Sequence, residues 1–164
     1  MRVLEARATV SDLDAFIATV GDVSDETDAT IQAFDARFVV DRDHLERAVE
    51  LADRAIARGN EIARDRAVEF ILYASGRRQI NRAFEMGVSE GTVPVVIVVD
   101  GGDEDDAETA LFDRLDLEQA KTLGEYDEEL VRDFFDIGAA ELTAADGDLP
   151  ALVKERVALL TVDR

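Results

Sequence analysis

Apolar and polar positions alternate loosely over residues 2–9, which predicts a β-strand. Ser11 then stands where a helix N-cap would, with acidic Asp14 three residues on, so a helix is predicted to about Val20, followed by a loop from Gly21 to Asp28. A second strand is predicted near Thr30 to Phe34, and Phe38, Val39 and Val40 form a short apolar segment after it. The strongest helical period comes next. With Asp41 or Asp43 as cap, Leu45, Ala48, Val49, Leu51, Ala52, Ala55 and Ile56 fall on one face, and Gly59 ends the helix.

Val68 to Ala74 is apolar enough for a central strand, although the same residues fit a helix, because a short apolar run does not reveal its period. Ser75 and Gly76 break the run. Arg77 to Met86 then predicts a helix with Ser75 as candidate N-cap, Ile80, Ala83 and Phe84 packed inward and Gly87 as its stop. Val93 to Asp100 is the clearest strand, and Gly101 to Glu108 reads as an acidic, solvated loop or helix start. Leu111 to Leu123, Asp127 to Phe135 and Leu149 to Leu160 predict three short helices. The expectation is one domain over residues 1–164, of mixed α/β class, with a small central sheet flanked by helices and a helix-rich C-terminal part.

Charge changes this picture more than composition does. The chain carries 38 acidic and 18 basic residues, net −20, and only Lys121 and Lys154 are lysines. A dense carboxylate surface with arginine as the main cation resembles the habit of proteins from salt-loving archaea, where it keeps a protein hydrated and dispersed. The acid is unevenly spread: residues 37–82 hold 8 acidic and 10 basic side chains, net +2, in a chain otherwise strongly negative. Asp43 with Arg47 and Glu50 with Arg54 are four apart and read as ordinary helix-surface pairs. Arg77, Arg78 and Arg82 differ, because no acidic residue lies between Glu69 and Glu85, and an anionic partner is the simplest functional explanation.

Several chemistries find no support. The chain has no cysteine, so no disulfide or thiolate metal site is possible, and a reducing, cytoplasmic setting fits. The longest apolar run, Val93 to Val99, is far short of the ~20 residues of a membrane helix, so no membrane association is expected. His44, the only histidine, starts a helix and reads as a surface or capping-region residue. Asp103, Glu104, Asp105 and Asp106 lack the spacing and the central glycine of a calcium loop. No phosphate-binding glycine loop is present, and no catalytic residue, metal or cofactor is expected.

The informative stretch runs from Glu69 to Ile80, where an apolar element delivers Ser75, Gly76, Arg77, Arg78, Gln79 and Ile80 to the predicted first turn of a helix. Free N–H groups, the helix dipole and two guanidinium groups would favour phosphate there, and Gln79 can read a base edge. The block Leu72 to Ile80, the helix Leu45 to Gly59 followed by Asn60, Ile62 and Ala63, and the C-terminal run Leu152 to Leu160 together resemble the Cgi-type subunit of the KEOPS complex, also called the PRPK-binding protein family. Arg77 stands where that family more usually has threonine or serine.

The resemblance implies a non-catalytic subunit of the machinery that makes threonylcarbamoyladenosine in tRNA, with the small atypical kinase of the complex and the 3′ CCA end of tRNA as partners. Arg78, Gln79 and Ile80 match the family's motif; Arg64, Arg66 and Arg77 join them as RNA-binding candidates through charge and nearness in sequence. Leu152, Val153 and Arg156 on the C-terminal helix are the kinase-binding candidates, although a core role fits those apolar residues at least as well. Two other readings are an adaptor that regulates the kinase without touching RNA, and a small-molecule enzyme using a carboxylate pair.

Overall fold

The computed structural model describes residues 1–162, which form eight α-helices and one four-stranded antiparallel sheet in the order β2-β3-β1-β4. The mixed α/β expectation holds. The chain divides into two compact units: one made of Met1–Ala36 and Gly87–Thr122, the other of Arg37–Met86 and the chain from Leu123 onward.

The first unit contains the whole sheet: β1 (Arg2–Val10), β2 (Thr30–Asp35), β3 (Gly91–Asp100) and β4 (Leu117–Gln119). Period-2 alternation turns Leu4, Ala6, Ala8 and Val10 of β1 to one face, in register with Ile97, Val95, Val93 and Gly91 of β3. On that face they form one core with Phe16 and Val23 of α1 (Leu13–Thr27) and Ala107 and Leu111 of α5 (Glu104–Arg114). Each large buried side chain contributes roughly 1.5–3 kcal/mol, enough to override local propensity. That is why α1 runs on to Thr27 through Gly21, where a loop was expected: Val23 is fully buried, and the core contact outweighs the ~1 kcal/mol cost of an interior glycine. Its cap is Asp12, one residue after the expected Ser11.

The acidic run at 103–106 opens α5. Asp103 accepts from the Asp106 N–H, and Glu104, Asp105 and Asp106 occupy the first turn, where the helix dipole favours negative charge. Gly102 before it has φ +54°, and a Cβ there would sit 2.2 Å from the Thr27 carbonyl oxygen. α5 ends at Arg114 and the chain then forms β4 on the edge of β1, so the expected helix from Leu111 to Leu123 is replaced by a helix end and a strand.

The second unit is helical: α2 (Arg42–Ala57), α3 (Arg66–Ser75), α4 (Ile80–Ala83), α6 (Glu128–Phe134), α7 (Ala139–Ala144) and α8 (Leu149–Leu159). α2 and α8 lie close to their predicted spans, and α2 is capped by Asp41, which accepts from the His44 N–H at 2.8 Å. Val68 to Ala74, which the sequence left open between a central strand and a helix, belongs to α3. Every residue from Glu69 to Ser75 is buried, so this helix has no polar stripe to mark its period. No helix among the described residues is long and apolar enough to cross a membrane.

Candidate functional site

The segment singled out by its arginines forms the corner between α3 and α4. α3 ends with Gly76 in the left-handed region, φ +62°; Gly76 N–H donates to the Tyr73 carbonyl and Arg77 N–H to the Leu72 carbonyl, both at 3.1 Å, the Schellman arrangement. Ser75 belongs to this ending: its hydroxyl donates to the Leu72 carbonyl at 2.9 Å and accepts from Arg77 N–H at 3.2 Å. The sequence-based reading of Ser75 as an N-cap is therefore corrected, because glycine's tolerance of positive φ stops one helix before the next begins. The next helix starts only at Ile80 and has four residues, so Arg77 and Arg78 precede it and no array of free N–H groups faces them. Ile80 and Phe84, expected inward, are each 45% exposed.

Arg77 is committed within the fold. Its guanidinium donates to the Phe134 carbonyl at the end of α6, lies over the Phe134 ring at 5.1 Å and pairs with Asp136 at 3.6 Å. Arg66 likewise forks onto Asp53, two contacts of 2.8 Å, joining α3 to α2, and lies 4.8 Å from the Phe70 ring centroid. Arg64, Arg78 and Gln79 are exposed, and among the described residues neither Arg64 nor Arg78 has an ionic partner. These do not form one cluster: α3, about 15 Å long, separates the end carrying Arg64 from the end carrying Arg78.

Two buried polar residues hold this region, and sequence reasoning missed both. Glu69 is fully buried and accepts from Ile62 N–H at 3.0 Å and Ala63 N–H at 2.8 Å, clamping the loop that carries Arg64. A lone acid inside the apolar run 67–74 was the available signal. His44, expected as a surface or capping-region residue, lies in the capping region, its N–H donating to Asp41, but its side chain is fully buried. Its Nδ1 accepts from Val40 N–H at 3.3 Å, so its Nε2 carries the proton and donates to the Ala74 carbonyl at 2.7 Å. Burial pushes the imidazole pKa down, partly opposed by the hydrogen bond to Ala74, and the ring stays neutral as a tie between the start of α2 and the end of α3.

α8 packs on α2 and α3 in the same unit. Leu152 is 6% exposed and Val153 is fully buried, so neither presents a surface to a partner; both side chains lie on the inner face of α8 and fill the core. Arg156 forks onto Glu141 with two contacts of 2.7 Å and donates to the carbonyls of Phe135 at 3.1 Å and Asp136 at 3.2 Å. Glu141 in turn holds the guanidinium pKa up. The corner meets α8 directly: a Cβ on Gly76 would lie 3.0 Å from the Arg156 carbonyl oxygen. Outward, α8 presents Ala151, Glu155, Ala158 and Leu159.

A family model described as kinase binding protein CGI-121 matches residues 9–161. The chain belongs to this family. The CGI-121 match takes in the α3–α4 corner, the loop clamped by Glu69 and α8, and it makes the chain a member of a kinase-binding family rather than a catalytic one. No curated protein matches the chain.

Proposed function

We propose that this CGI-121 protein is a non-catalytic subunit of the KEOPS complex, working in the cytoplasm at high salt, that binds the complex's atypical kinase and engages the 3′ CCA end of tRNA for threonylcarbamoyladenosine modification. One observation carries the RNA part. In a chain of net charge −20, Arg78, Gln79 and Ile80 stand exposed in sequence within a stretch, residues 70 to 84, that holds no acidic residue. Arg77 supports the corner from beneath, and Arg66 and Glu69 shape the distant loop where Arg64 makes a second, separate contact with the RNA backbone.

Phosphate contacts alone would fail in concentrated salt, since single-strand affinity falls with a slope of roughly −0.7 per neutralised phosphate. Unpaired bases held by apolar contact, stacking and base-edge hydrogen bonds are screened less. Gln79 and Ile80 therefore matter as much as Arg78. With Leu152 and Val153 in the core, α8 has its outward face around Leu159 to give to the kinase, and Arg156 positions the α6 end.

The family description favours a second reading, an adaptor that touches the kinase and no RNA. Reconstituted tRNA modification with Arg78→Glu separates the two. The proposal expects modification to fall at least about tenfold while the kinase still co-purifies; unimpaired modification leaves the adaptor reading standing.

A further inference from the structure

Ile80 and Phe84 are four residues apart, each 45% exposed, and Phe84 is the only aromatic among the large apolar side chains left exposed in the described residues. The backbone is helical from Ile80 to Ala83, and Phe84 itself has φ −68° and ψ −8°, so the two side chains lie on one face. Ala83 between them points inward and is fully buried, as is Met86 beyond, which anchors the short helix and fixes the direction of its outer face. A shelf of isoleucine and phenylalanine is thus held in place and turned to solvent.

Beside it, among the described residues, stand a free cation, Arg78, and the free amide of Gln79. Arg82 pairs with Glu85 at 3.0 Å and Arg77 is tied to α6, which leaves Arg78. Gln79 occupies the N-cap position of α4, yet its side chain caps nothing and, among the described residues, has no hydrogen-bond partner. An aromatic shelf beside an unpaired guanidinium and an unpaired carboxamide, with no carboxylate before Glu85, matches a nucleobase with its phosphate better than an apolar protein helix, which would make no use of the last two.

We propose that Phe84 is a base-stacking residue: an unpaired nucleobase lies on the Ile80–Phe84 shelf, with Gln79 at its edge and Arg78 at its phosphate. This rests on the RNA reading above and adds a residue outside the Arg78–Ile80 motif. Stacking depends little on ion screening, so the shelf supplies the part of the affinity that survives in molar salt.

The test uses the full chain with short single-stranded RNA ending in CCA, titrated across a KCl series against wild type, Phe84→Leu and Arg78→Gln. Phe84→Leu keeps apolar bulk at an exposed site and should leave the melting temperature unchanged. It is expected to weaken binding about fivefold or more at every salt concentration without changing the slope of log Kd against log salt, whereas Arg78→Gln lowers that slope by about 0.7. A Phe84→Trp variant, whose indole would be the only one in the chain, should be quenched on RNA addition. If wild type binds RNA and Phe84→Leu binds equally well, the stacking inference is wrong while the RNA reading survives; if wild type binds no RNA at any salt, both fall. Loss of kinase binding in Phe84→Leu with RNA affinity intact would make the shelf a protein-docking face and overturn the proposal.

Discussion

Arg77, just past α3, and Arg156, on α8, donate to consecutive backbone carbonyls, Phe134 and Phe135, at the C-terminal end of α6. A helix end leaves carbonyls unpaired and carries partial negative charge, and two guanidinium groups satisfy both needs. Arg77 is thereby a structural residue despite standing in the charged motif. Arg77→Gln should cost about 1–2 kcal/mol in denaturant unfolding at fixed salt, and Arg77→Gln with Arg156→Gln should depart from additivity because they share one helix end. Arg78→Gln, on the exposed side, should change stability by less than about 0.5 kcal/mol.

Glu69 makes a comparable prediction for the loop. Its buried carboxylate is the acceptor for Ile62 and Ala63 N–H, so Glu69→Ala strands two donors and opens a cavity. A loss of about 2–4 kcal/mol is expected, with faster amide exchange at Ile62 and Ala63 than elsewhere in the helical unit. Unchanged protection at those amides would show that the clamp does not hold the loop.

His44 sets a pH dependence whose sign follows from its lowered pKa. The folded chain keeps the ring neutral, while the unfolded chain takes up a proton near its ordinary value of about 6.5. The contribution to stability is complete above that pH and is lost as pH falls through it, by up to about 1.4 kcal/mol per unit, down to the folded-state pKa. Because the chain has no other histidine, His44→Gln should flatten the stability profile as pH falls below about 6.5; an identical slope in both proteins would contradict the buried neutral ring.

Tyr73 offers a stabilising substitution. Its hydroxyl is buried with no hydrogen-bond partner among the described residues. Tyr73→Phe removes an unsatisfied polar group with little change of shape and should raise stability by about 1 kcal/mol. A fall in melting temperature would mean that the hydroxyl is satisfied in solution.

What could be read from the chain depended on whether each residue's partners were local. α2 was legible because its buried positions Leu45, Ala48, Val49, Ala52 and Ala55 repeat at helical spacing, β1 because its inward and outward positions alternate, and β3 because its run from Val93 to Val99 is apolar almost throughout. α3 was ambiguous because every residue from Glu69 to Ser75 is buried, which leaves that stretch no polar stripe. Ser75-Gly76 reads equally well as a helix start or a helix end, and only the backbone at Gly76 decides. The chemistry of Arg77 was visible, but its role was not, since its acceptor Phe134 lies 57 residues away. The burial of His44 was hidden for the same reason, its acceptor Ala74 lying 30 residues on.

The proposed role of the α3–α4 corner in holding the unpaired end of tRNA is tested most directly by the affinity of the protein for one tRNA with and without its CCA end, in molar KCl. Loss of CCA is expected to weaken binding by about tenfold or more, because stacking and base-edge contacts are what remain when phosphate contacts are screened. Equal affinity for the two tRNAs would contradict the account.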